Sequence, residues 1–138
     1  MKPEQLQYNK ECGDCHFDFH PSLLPAPSWK KVMNQLEDHF GDDASIGEQT
    51  RLSIENYLVK NAAETSNSEA SSKIRRSIPM GITPIRITET PYWIRKHLEI
   101  KKEVYKRKTI RSPLNCLACH PYSRTGSFED DDIFIPVE

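Results

Sequence analysis

No run of about 18 apolar residues occurs anywhere in the sequence, so no segment is predicted to cross a membrane as a helix. There is no signal peptide either. Apolar residues are scarce, at 36 % against 28 % charged in 138 residues, which is thin for a self-sufficient core. No acid, base or nucleophile stands out from the surface charges, so no enzymatic role is expected. The net charge of −1 leaves no overall field of one sign, but the charges are unevenly placed. Residues 1–61 are net −4, residues 73–124 carry 13 basic and 3 acidic side chains, and "EDDD" at 129–132 makes the end acidic again.

The chain has only four cysteines, and all are used in one repeated pattern. "CGDCH" places Cys12, Cys15 and His16 together, and "CLACH" repeats this with Cys116, Cys119 and His120. Two cysteines two residues apart, followed at once by histidine, form the attachment signature of a c-type haem. One short helical turn sets the thiols at the separation of the two vinyl groups on a porphyrin edge. The next side chain then comes up beneath the iron as proximal ligand. Zinc is the first rival, but its second cysteine pair usually follows within about 20 residues, and here a far longer stretch intervenes. Two disulfides are the second. Neither explains the histidines, which would follow both pairs by chance about once in a thousand. Two covalent haem c groups are therefore expected. Each would supply the buried apolar surface that the composition lacks, so stability should depend on the cofactor. Because haem attachment in bacteria follows export, the chain is read as a mature periplasmic protein without its leader.

The pattern predicts a mostly helical fold. Asn9 can cap a short helix bearing the first attachment site, and "PSLLPAP" then breaks it into an extended loop over one haem edge. Ser28 starts a helix whose Trp29, Val32, Met33, Leu36 and Phe40 follow the helical period until Gly41. A third helix starts at Ser45, with Glu48 completing a capping box and Leu52, Tyr57 and Leu58 facing inward. "NAAETSNSEASS", from Asn61, is small and polar and reads as a linker. Thr90-Pro91 opens a helix through Tyr92, Trp93, His97 and Ile100, and Ser112-Pro113 opens the helix of the second site. The resulting organisation is two small cytochrome c-like lobes, 1–61 and 81–138 with the acidic tail, joined by a linker at 62–80. The apolar "IFIPV" near the end is expected to pack back as an edge segment.

Whether such a haem carries electrons or binds ligands turns on the sixth position of the iron. His39 and His97 both fall on apolar helix faces, and each lies 23 residues from an attachment histidine in mirrored order. His16 is therefore paired with His39 and His97 with His120, with crossed pairing as the alternative. His20, close behind His16, is expected at a haem rim or propionate, and Met33 and Met80 are lesser ligand candidates. Trp29, Phe40, Tyr92 and Trp93 either wall the haems or belong to ordinary core. The basic block either neutralises propionates and pairs with the tail or forms a docking face for an acidic redox partner. Nucleic-acid binding is not expected.

"CGDCHFDFHPSLLPAPSWKKVMNQLEDHFGDDAS", "TPYWIRKHLEI" and "CLACH" together resemble the small bacterial dihaem cytochrome c family, over most of residues 9–122. The resemblance implies two low-potential bis-histidine haems, with His39 and His97 as distal ligands. It also implies electron transfer to an oxygen-binding monohaem cytochrome, the sphaeroides haem protein, with a membrane b-type cytochrome as possible donor. The expectation is a monomeric single-electron carrier. The competing class is a haem enzyme or gas or redox sensor in which one distal histidine is labile.

Overall fold

The computed structural model describes residues 3–13 and 17–138. Helix α1 (Pro3–Gly13) begins on proline, whose missing N–H is one that a helix start leaves unpaired anyway. Asn9 therefore lies within the helix and does not cap it. α1 buries Tyr8, whose hydroxyl donates to the Phe19 carbonyl at 2.5 Å.

"PSLLPAP" belongs to the core and is not an open loop. Pro21–Leu23 form a 3-10 turn, Leu23 and Leu24 are buried, and the Trp29 indole N–H donates to the Pro21 carbonyl at 2.8 Å. Helix α2 (Ala26–Met33) starts before Ser28, with Pro27 in its first turn. Its buried face is Trp29, Val32 and Met33, as the periodicity predicts. It stops at Met33, well short of Gly41. The chain continues through a 3-10 turn at Leu36–Asp38 into a tight turn at 39–42, where Phe40 (φ 55°) and Gly41 (φ 94°) are both left-handed. Two successive positive φ values are what a type I′ turn requires, and they are incompatible with a continuing helix.

Helix α3 (Glu48–Lys60) starts after Gly47, because the Ser45 hydroxyl bonds to Asp43 and caps nothing. Its inner face is Ile54 and Leu58, one turn apart, while Leu52 is 43 % exposed. Tyr57 is half-buried against the Tyr8 ring, and both α1 and α2 pack on α3.

Segment 62–80 is not an unstructured linker. Ser68 caps helix α4 (Glu69–Ser77) by accepting from the Ser71 N–H, and Glu69 and Arg75/Arg76 suit the two ends of its dipole. Ala62, Ala63, Ser71 and Ile74 are all buried. The inward face of α4 is made of small residues, which let it lie close to its neighbours but give no apolar stripe to read. α4 packs on α5 (Pro91–Lys96), the next helix in the chain. The predicted long helix after Thr90-Pro91 breaks at His97, and α6 (Lys102–Tyr105) and α7 (Cys116–Cys119) are single turns. The fold is mostly helical; among the described residues the only β pairing is the isolated bridge between His39 and Asp42. No described helix is long and apolar enough to span a membrane. One buried cluster runs from Tyr8 through Leu23, Trp29, Leu58 and Ile74 to Ile87, and Tyr92, Trp93 and Phe128 pack on its edge.

Candidate functional site

Beyond α4 the chain has little regular structure, and it curls around a cavity of about 410 Å³. That size lies within the range of cofactor and ligand pockets, roughly 300–1,000 Å³. A smaller hollow, about 150 Å³ and lined largely by polar residues, lies between Ser68 and Asp130 and is too small for a porphyrin. The larger cavity, which lies at the second attachment site and is called the second cavity, brings together His97, His120 and Cys119 with Trp93, Ile110 and Phe128. α7 sets Cys116 and Cys119 three residues apart on one helical turn, with His120 just after it. Neither thiol is in a disulfide, and burial pushes both up, that of Cys116 to about 12.

His97 and His120 both line this cavity, with ring centres 6.3 Å apart and ring planes at 64°. Two imidazoles bound to opposite sides of one metal, at about 2 Å per bond, have ring centres roughly 6 Å apart. His97 is held from behind: its Nδ1 lies 2.6 Å from the Trp93 carbonyl, and its ring stacks on the Trp93 indole at 4.0 Å. A carbonyl can only accept, so Nδ1 carries the proton and Nε2 keeps its lone pair, as in metal-binding histidines oriented by a backbone carbonyl. Burial lowers the pKa of His97 despite that bond, and burial and His97 lower that of His120. Both rings are thus biased to the neutral form that a metal needs. The buried Tyr105 hydroxyl at the cavity wall has no partner among the described residues and would suit a porphyrin carboxylate. Among the described residues no three histidine, cysteine or acidic side chains cluster to hold a bare metal ion. Two imidazoles at this separation, an adjacent thiol pair and an apolar cavity fit a covalent haem.

At the first site Cys15 and His16 lie outside the described residues. Cys12, near the end of α1, is half-buried against the core cluster. His39 is not on a helix face but in the 39–42 turn. Its N–H donates to the Asp42 carbonyl at 2.7 Å, the Asp42 N–H donates to the His39 carbonyl at 3.1 Å, and the His39 ring lies against Phe40 at 4.6 Å. The Arg86 guanidinium covers Phe40 at 4.1 Å.

Of the other candidates, Met33 and Trp29 are core residues, Met80 is fully exposed at a turn, and Tyr92 and Trp93 line the second cavity. His20 bonds Ser22 through Nδ1 at 2.8 Å. Sequence reasoning missed the contributions of Leu23, Ala70 and Ile74 to the second cavity, since they come from segments outside the C-terminal lobe. The tail packs back without forming a strand. Ile133 and Ile135 line the cavity, the Phe134 N–H donates to the Cys119 carbonyl at 2.9 Å, and Arg107 donates to the Pro136 carbonyl at 2.5 Å. Asp130 pairs with Lys96 at 3.3 Å.

A family model described as dihaem cytochrome c matches residues 8–128. Diheme cytochrome c from Rhodobacter sphaeroides is similar at 40 % identity, over 89 % of this chain and 95 % of that one, with a TM-score of 0.76. The X-ray structure of a diheme cytochrome type c from Shewanella baltica OS155 is similar at 34 % identity, over 99 % of this chain and 96 % of that one, with a TM-score of 0.75. No curated protein sequence matches the chain.

Proposed function

Since the chain belongs to the dihaem cytochrome c family, with two covalently bound haem c groups and electron transfer as its function, we propose that it is a periplasmic carrier working through two low-potential bis-histidine haems. The observation that carries this reading is that His97 and His120, with ring centres 6.3 Å apart, line one apolar cavity together with Cys119. When bound, the haem iron takes up or releases one electron, with little change in geometry if six-coordinate.

In this reading Cys12 and Cys15 hold the first haem, and Cys116 and Cys119 the second. His16 with His39, and His97 with His120, supply the axial nitrogens. The Trp93 carbonyl aims Nε2 of His97 by holding its Nδ1 proton. Histidine at both positions favours a lower potential than a methionine would. Trp93, Phe128, Ile133 and Ile135 give the second cavity an apolar wall that would limit water at the haem. Lys101, Lys102, Lys106, Lys108 and Arg111, beside that cavity, form no ion pairs among the described residues and suit an acidic redox partner. A monohaem cytochrome of the sphaeroides haem protein type is the proposed acceptor, and a membrane b-type cytochrome the proposed donor.

The test is a visible absorption spectrum of the purified holoprotein, oxidised, then reduced, then with carbon monoxide added. Low-spin bands for two haems per chain with no carbon monoxide shift are expected. High-spin bands or a clear shift would replace the carrier with an enzyme or sensor.

A further inference from the structure

His20 has no part in the site described above, yet it is built into the fold with care. Its Nδ1 is tied to the buried Ser22, and its ring abuts Gly126, so close that a Cβ there would sit 2.8 Å from Cε1 and 2.9 Å from Nδ1. Gly126 is also left-handed, with φ 83°. Any other residue at 126 would be strained twice, by the backbone and by the imidazole. Beside this contact Arg124 pairs with Asp18 at 3.0 Å and lies 5.5 Å from the centre of the Phe17 ring. Arg124 is 58 % exposed but Asp18 only 10 %, so this half-buried pair supports the packing of His20 on Gly126.

The two segments joined here are the ones that directly follow the two attachment signatures. Phe17 to His20 come straight after His16. The turn at 123–126 hangs from the second site, the Ser123 N–H donating to the His120 carbonyl at 3.0 Å and the Gly126 N–H to the Ser123 carbonyl at 3.0 Å. Residues more than 100 positions apart are thereby fixed within a short path of both proximal histidines. We propose that His20 on Gly126, supported by Asp18 and Arg124, is a clasp that sets the distance and angle between the two haems. It thereby governs electron exchange between them. In that exchange one iron goes from ferrous to ferric as the other goes from ferric to ferrous, with no proton or third reactant. His20 is a positioning residue in this scheme, and the proposal rests on His16 and His120 being the proximal ligands.

The experiment is Soret circular dichroism of the oxidised holoprotein, recorded with its absorption spectrum, for the natural chain, His20→Ala, Gly126→Ala and Arg124→Gln. Two haems close enough to couple give paired positive and negative bands that depend on their distance and angle. The natural chain is expected to show the pair, Gly126→Ala to lose it, and His20→Ala to weaken it. Arg124→Gln is expected to change it least, and low-spin absorption should be unchanged throughout. His20→Ala removes atoms instead of adding them, so it decides the matter if Gly126→Ala does not fold. A natural chain without paired bands overturns the clasp, as does a signal unaffected in His20→Ala. High-spin absorption confined to His20→Ala overturns it in favour of His20 as a ligand. The bis-histidine reading fails separately, if the natural chain itself is high-spin or binds carbon monoxide.

Discussion

The His97 and His120 rings stand 6.3 Å apart across the second cavity, and His97 is held there by a 2.6 Å bond from Nδ1 to the Trp93 carbonyl. α5 ends at Lys96 and His97 is its C-cap, its N–H still bonded to the Trp93 carbonyl at 3.2 Å. A ligand at a helix end can be aimed by the last turn without being carried on it.

His97→Ala removes the proposed sixth ligand from one haem only. The absorption spectrum should then show one high-spin and one low-spin haem, with carbon monoxide bound by about half of the total. His97→Met should stay low-spin and raise the potential of that haem, which a redox titration would read. A fully low-spin His97→Ala protein would count against the assignment.

His39→Ala makes the matching change at the first haem. The double variant with His97→Ala should therefore bind two carbon monoxide molecules per chain, where each single variant binds one. If His39→Ala instead leaves carbon monoxide binding at zero, the turn at 39–42 is structural.

Ile74→Ala tests whether α4 is part of the core. Ile74 is 3 % exposed and also lines the second cavity, so the truncation should cost about 2–5 kcal/mol. Denaturant unfolding of the holoprotein measures this, and a cost near zero would restore the linker reading of 62–80.

Removing residues 129–138 takes away Ile133 and Ile135 from the cavity wall and the Lys96–Asp130 pair. Water would then reach the second haem and favour its more charged ferric state, so its potential should fall while the first haem stays unchanged. Redox titration of the shortened chain reads both haems at once.

Docking through the basic face should be salt-sensitive. The rate of electron transfer to an acidic monohaem cytochrome should fall as ionic strength rises through about 0.1 M, where the Debye length is about 10 Å. Lys101→Glu with Lys102→Glu should lower the rate at low salt and flatten its salt dependence, as stopped-flow mixing would show.

Local signals were legible where a single residue decides local geometry. Pro91 opens α5, the Trp29, Val32 and Met33 stripe is the buried face of α2, and Cys116–Cys119 is one helical turn. Boundaries failed where two signals competed. Ser45 bonds to Asp43 and gives up the cap, and α2 stops at Met33, leaving His39 in a turn whose Phe40 and Gly41 are left-handed. α4 was not read because its inner face is alanine and serine around one isoleucine, so the segment as a whole has the polar composition of a linker.

By itself the sequence determined the cofactor chemistry, because covalent attachment needs thiols and an imidazole at a spacing set by the porphyrin edge. It also named the histidines available as further ligands. Only the tertiary structure decided how distant segments meet: Leu23 and Ile74 in the wall of the second cavity, the tail over Cys119, and His20 against Gly126. Those contacts depend on packing between segments far apart in the chain, and short-range patterns carry no information about which distant surface a side chain will meet.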